Sequence, residues 1–145
     1  MRCLQDLDQI RLQHMDEAGI DRQVIALTAP GVQVMDKETA VAFSRVANDE
    51  LAEAVRRHPT RFTGMIAVAP QDPASAALEI ERGVTRLGMN AVIINSHTQG
   101  EYLSDSKFWD IFAAAEAHDV PIYLHPNSLP KNMIGSFQDC GLDGA

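Results

Sequence analysis

The sequence predicts an α/β protein built on parallel strands. Three observations carry this. Four apolar, β-branched-rich runs alternate with four amphipathic segments in the order α-β-α-β-α-β-α-β. The connections from each helix into the next strand are short, which suits right-handed crossovers between parallel strands. The third run, Ala91-Val92-Ile93-Ile94-Asn95, is apolar on both faces until its last residue, as in a strand covered on two sides. Two architectures satisfy the pattern: an open doubly wound sheet, or part of a (β/α)8 barrel. A barrel needs about 250 residues, and the 145 residues supply about half. Starting on a helix and stopping in a loop fits part of a barrel better.

The first helix is predicted over 2–18, with Leu4, Leu7, Leu12 and Met15 as its apolar stripe and Gly19 placed to end it. A strand over 22–27 follows, then a loop, Thr28-Ala29-Pro30-Gly31-Val32-Gln33, marked by Pro-Gly. Asp36 is the expected N-cap of the second helix, which carries Phe43, Ala47, Leu51 and Val55 at helical spacing. His58-Pro59 stops it. The second strand is expected over 62–68. Asp72 caps the third helix with Pro73 at its first position. Ala77, Ile80, Val84 and Leu87 line one side of that helix, and Gly88 ends it. After the third strand comes a polar loop, 96–101. Ser104 is the expected cap of the fourth helix, with Phe108, Ile111, Phe112 and Ala115 in line.

The fourth strand, Ile122-Tyr123-Leu124, reads as a short buried strand ending in His125-Pro126. Proline holds the preceding residue extended, so one imidazole is aimed from the carboxyl end of the sheet, the edge where α/β proteins collect their chemistry. Beyond Pro126 the pattern dissolves. Met133-Ile134 and a weakly helical 136–140 follow, and 141–145 complete no element.

Composition narrows the function classes. Hydrophobic residues make up 46% and charged residues 22%, ordinary for a soluble domain. No apolar run approaches the roughly 20 residues that span a bilayer. The first residues hold no secretory apolar core. The expected location is therefore the cytoplasm. A net charge of −8 argues against nucleic acid or an anionic membrane as partner. Cys3 and Cys140 are isolated and read as free thiols.

The strand ends offer Thr28, Asn95, His97, His125 and Pro126 as candidate site residues. Thr28 and Asn95 can hydrogen-bond a ligand, or merely close turns. His97 and His125 can bind metal or move protons, or serve as turn residues. Phosphate-binding glycine loops, a nucleophile elbow and H-E-x-x-H are all absent from the sequence. One histidine cannot by itself hold a catalytic metal, which takes about three protein ligands.

The ordered motifs Asp16-Glu17-Ala18-Gly19-Ile20-Asp21, Ala47-Asn48-Asp49-Glu50-Leu51, His58-Pro59-Thr60-Arg61-Phe62, Pro70-Gln71-Asp72-Pro73, Tyr102-Leu103-Ser104-Asp105 and Val120-Pro121-Ile122-Tyr123-Leu124-His125-Pro126 together resemble the amidohydrolase-related metal-dependent decarboxylases. Within that family the nearest likeness is to those acting on 5-carboxyvanillate and gamma-resorcylate. The resemblance implies a partial (β/α)8 barrel of the amidohydrolase superfamily, about strands 2 to 5 with their helices. It implies that residues 1–145 are one incomplete barrel domain, a fragment truncated at both ends. It implies that His125 is the fifth-strand metal ligand, and that Thr28, Asn95, His97 and Pro126 border the substrate pocket. One divalent ion, zinc or manganese, is implied, with most of its ligands absent from this chain. The family's first-strand metal motif, sixth-strand histidine and eighth-strand aspartate have no counterpart here, so no catalytic residue is assigned. The implied activity is non-oxidative decarboxylation of an aromatic or related carboxylic acid by a homo-oligomeric parent. Two other readings stay open: a metal-dependent lactone or amide hydrolase, and a non-catalytic fragment or binding module.

Overall fold

The structure is a computed structural model that describes residues 5–128, 130, 133, 134 and 139. The expectations for Leu4, Cys3, Cys140 and 141–145 lie outside the described residues, as does most of the predicted 136–140 helix. Four helices are described: α1 (Gln9–Glu17), α2 (Lys37–Arg57), α3 (Pro73–Thr85) and α4 (Trp109–Ala117). They alternate with strand segments β1 (Gln23–Ile25), β2 (Phe62–Gly64), β3 (Ile66–Ala67), β4 (Val92–Asn95) and β5 (Ile122–His125).

All strand pairings are parallel. β1 pairs with β2, with Ile25 opposite Gly64. β3 pairs with β4, with Ile66 opposite Val92. β4 pairs with β5, with Asn95 opposite His125. The predicted second strand therefore appears as two segments separated by Met65. The Met65 N–H donates to the Ile25 carbonyl at 2.9 Å, and the Ile66 N–H donates to the Ala91 carbonyl at 2.7 Å. Pairing thus passes from one neighbour to the other at this residue. Five segments occupy four successive strand positions, as the alternating pattern predicts.

The caps explain most boundaries. Asp36 accepts from the Thr39 N–H at 2.9 Å and Asp72 from the Ser75 N–H at 3.1 Å, both as expected. The bond from Thr39 holds the Asp36 carboxyl below its ordinary range. Gly19 and Gly88, at φ of +66° and +69°, follow the ends of α1 and α3, where a left-handed residue costs glycine little. The first helix is shorter than predicted. The Asp6 carboxylate accepts from the N–H groups of Asp8, Ile10 and Arg11 at 3.0, 3.1 and 3.2 Å. These bonds start a new turn, so the regular helix begins at Gln9. They also hold the Asp6 carboxyl below its ordinary range, the Asp8 bond foremost. At the fourth helix the cap is Asp105, not Ser104: Asp105 accepts from the Lys107 N–H at 3.0 Å and opens a 3-10 turn, Ser106–Phe108.

One face of the sheet is closed by helices. Ile25, Phe62, Ile66, Val92 and Ile94 pack with Met15, Leu51, Ile80, Met89, Phe108 and Ile111 in one cluster. Each fully buried aliphatic side chain contributes about 1.5–3 kcal/mol. At Gly83 a Cβ would lie 2.6 Å from the Ile66 side chain, so glycine lets α3 approach β3. The predicted stripes need two corrections. Phe43 and Phe112 are exposed; α2 buries Leu51 as predicted, but with Ala40, Ser44, Asn48, Ala52 and Ala54 beside it. The 3.6-residue period is compatible with either face when alanines fill the gaps.

Asn48 explains which face of α2 wins. Its Oδ1 accepts from the Ala67 N–H at 2.8 Å, and its Nδ2 donates to the Ala67 carbonyl at 2.8 Å and to Glu79 at 2.7 Å. Glu79, almost fully buried, in turn receives two bonds from Arg82 at 2.7 and 2.9 Å. Asp49 takes a further bond from Arg82 at 2.7 Å. These carboxylates raise the Arg82 pKa, with Glu79 the main cause. A polar network thus joins α2, β3 and α3 with its buried charge compensated.

The last strand departs from expectation. β5 is not buried: Tyr123 and Leu124 are 49% and 58% exposed. Among the described residues β4 is its only pairing partner, so it lies at a sheet edge. The apolar run alone could not distinguish an edge from a covered strand.

Candidate functional site

The strands present their second face to an open cleft of about 270 Å3, lined by Val24, Ala26, Leu27, Thr28, Met65, Ile93, Tyr123 and His125. Strand alternation puts Val24, Ile93, Tyr123 and His125 opposite the helix-covered side. His125 also borders a neighbouring cleft of about 510 Å3, with Ser96, Tyr102, Leu103, Ser104, Leu124 and Pro126. Thr28, His125 and Pro126 therefore gather at the carboxyl ends of the strands, and His125 is common to both clefts.

The two histidines differ in what their ring nitrogens do. The His125 Nδ1 lies 2.7 Å from the Pro126 carbonyl. A carbonyl only accepts, so Nδ1 carries the proton and Nε2 keeps the lone pair in the neutral ring. An N–H held by a carbonyl while the other nitrogen keeps its lone pair is the arrangement of a ligating imidazole. His97 is engaged at both ends. The Gly100 N–H donates to its Nδ1 at 3.1 Å, which makes Nδ1 the acceptor. Its Nε2–H donates to the Ser128 carbonyl at 2.8 Å. His97 thereby ties the loop after β4 to the segment after β5.

Asn95 is 4% exposed and does not line the 270 Å3 cleft. Its backbone N–H donates to Gln33 Oε1 at 2.7 Å. Its carbonyl accepts from Gln33 Nε2 at 3.2 Å. Among the described residues its buried side-chain Oδ1 has no hydrogen-bond partner. Gly31 sits against it: at φ +60°, a Cβ there would come within 2.9 Å of Asn95 Nδ2. The next residue, Ser96, is left-handed at φ 46°, a conformation that costs a non-glycine residue about 1–2 kcal/mol. It turns the chain so that His97 leaves the strand line.

Three glutamines escaped the sequence reading. Gln33 also donates to the His97 carbonyl at 3.3 Å and to Thr98 Oγ1 at 2.7 Å. Gln71 donates to the Val32 and Met35 carbonyls at 3.0 and 3.1 Å. Gln99 donates to the Met35 carbonyl at 3.0 Å. Together they fasten the loop that begins at Thr28 to the ends of the other strands. The signal was faint: each glutamine sits in a loop that follows a strand, and a carboxamide both donates and accepts.

Among the described residues no three His, Cys, Asp or Glu side chains converge as a set able to hold a metal ion. The donor chemistry of His125 fits one corner of such a site. No helix among the described residues is long and apolar enough to cross a membrane.

Residues 4–141 match the amidohydrolase family model. The chain is 40% identical over 137 residues to a gamma-resorcylate decarboxylase of Polaromonas sp. (strain JS666 / ATCC BAA-500), an alignment covering 89% of this chain and 42% of that protein. The chain thus spans about two fifths of the length of the curated relatives it matches. The crystal structure of 5-carboxyvanillate decarboxylase from Novosphingobium aromaticivorans, complexed with manganese and 4-hydroxy-3-methoxy-5-nitrobenzoic acid, superimposes with a TM-score of 0.92. It is 47% identical, covering 99% of this chain and 41% of that one. A 2,6-dihydroxybenzoate decarboxylase from Rhizobium gives a TM-score of 0.86 at 32% identity, covering 92% and 44%. With parallel strands, crossover helices and a match across nearly its whole length, the chain belongs to the amidohydrolase family and has the fold of part of that family's barrel.

Proposed function

We propose that the whole protein is a metal-dependent, non-oxidative decarboxylase of an aromatic carboxylic acid, and that this chain supplies one metal ligand and one wall of the substrate pocket. The observation that carries the reading is His125: its Nδ1–H is held by Pro126 and its Nε2 lone pair stands at a strand's carboxyl end. The identity to decarboxylases of hydroxylated aromatic acids supports it.

A bound divalent ion, manganese or zinc, would supply Lewis-acid charge stabilisation for the substrate's carboxylate and adjacent hydroxyl. His125 would be one of its ligands, oriented by the Pro126 carbonyl. Val24, Met65, Ile93 and Tyr123 offer a mainly apolar wall for an aromatic ring. The Thr28 hydroxyl borders the same cleft and can hydrogen-bond a ring substituent. Pro126 flanks the site, and His97 holds the loop beside it. In the reaction the carbon–carbon bond to the carboxylate breaks, carbon dioxide leaves and a proton takes its place on the ring carbon. No residue of this chain is assigned as the proton donor. The proposal extends to a cytoplasmic homo-oligomer.

The test is His125→Ala in the whole protein. Manganese affinity should fall by more than about 100-fold, with decarboxylation of 5-carboxyvanillate and gamma-resorcylate lost. A variant that keeps its metal and either activity would remove His125 from the site.

A further inference from the structure

We infer that Gln33 is a positioning residue for substrate, acting on the loop that begins at Thr28 and not on the metal ligand. The inference rests on the decarboxylase reading above and deepens it. Gln33 is 3% exposed, and its carboxamide meets four partners on one distant segment. Its Oε1 accepts from the Asn95 N–H at 2.7 Å. Its Nε2 reaches Thr98 Oγ1 at 2.7 Å, with the Asn95 and His97 carbonyls at 3.2 and 3.3 Å.

The contacts bracket Ser96, whose left-handed backbone needs external support. They also span 62 residues of sequence between the loop after β1 and the end of β4. The side-chain amide captures both the N–H and the carbonyl of Asn95, as a neighbouring strand residue would. The loop from Thr28 to Gln33 is thereby held at the end of β4, with Gly31 seated on Asn95. His125 has supports that Gln33 does not touch: β5 pairs with β4 from Ile122 to Leu124 as well as at His125 itself, and the His125 ring is fixed by Pro126. Loss of the Gln33 carboxamide should therefore loosen the substrate wall at Thr28 and leave the metal ligand in place.

The whole protein provides the test, through manganese content, steady-state kinetics with 5-carboxyvanillate and gamma-resorcylate, and binding of 4-hydroxy-3-methoxy-5-nitrobenzoate. Gln33→Leu keeps the side chain's bulk and removes its hydrogen bonds. KM and the dissociation constant of the nitro acid should rise about tenfold, the scale of unmade buried hydrogen bonds, with kcat changed less than about threefold and manganese content native. Thr98→Val removes the Oγ1 acceptor alone and should shift KM in the same direction by less. Thr98→Ser keeps that acceptor and should restore the native KM. Native KM in Gln33→Leu overturns the inference. So does joint loss of manganese and substrate binding, which would make Gln33 a general support. Should Gln33→Leu fail to fold, the Thr98 pair decides: equal KM values for valine and serine overturn the inference. A native protein that neither binds the nitro acid nor turns over either substrate overturns the decarboxylase reading instead.

Discussion

The two faces of the sheet contrast sharply. On one, Phe62, Ile66, Val92 and Ile94 are fully buried under α-helices that the chain itself provides. On the other, Val24 and Tyr123 are half-exposed beside His125, facing an open cleft. Both faces are built from the same four strand positions, with alternate residues turned to each side. Stability therefore resides on the covered face and the candidate chemistry on the open one. A change on either face should act through only one of the two properties.

Phe62→Ala should break the contrast hardest. Removing a fully buried aromatic costs about 3–5 kcal/mol, read as a lowered urea midpoint, while the molecules that remain folded keep the His125 geometry. Gly83→Ala tests the same face from the helix side. A Cβ 2.6 Å from the Ile66 side chain forces α3 and β3 apart, at about 1–3 kcal/mol. A stability loss much below that would show that Ile66 repacks freely. Tyr123→Ser sharpens the contrast at its weak end. In this chain the side chain is half-exposed, so its loss should shift stability by no more than about 0.5 kcal/mol. A larger loss in the urea midpoint would mean that the open face also carries folding energy.

Much of this division was legible in the residues. The apolar run of β4 announced a buried strand, and every β4 residue is buried, although Ile93 borders the open cleft. Asp36, Asp72, Gly19 and Gly88 marked helix ends because their chemistry is local. His125-Pro126 placed an extended histidine at a strand end for the same reason. The illegible features depend on partners far apart in sequence. Nothing near Phe43 tells that Asn48, five residues on, will choose the buried face by reaching Ala67. Nothing near Ile122 reports that β5 pairs with β4 alone among the described residues. His97 and His125 look alike as polar residues after strands. They separate only when Gly100 and Ser128 occupy both nitrogens of one. Gln33 was overlooked because a glutamine in a loop usually meets water, and its partners lie some 62 residues away.

Asn48 carries a last implication, for how such a chain tolerates mutation over time. Besides its bond to the Glu79 side chain, its carboxamide meets Ala67 through main-chain atoms alone, and every residue except proline offers both of those atoms. The contact is therefore blind to identity at one end and strict at the other. Position 67 is free to drift among side chains that fit the sheet. Position 48 is not: aspartate would lack the donor, and glutamine would overshoot by one methylene. Mutational scanning of the pair should show tolerance at 67 for small residues and near-intolerance at 48, an imbalance that simple burial, high at both positions, would not foretell.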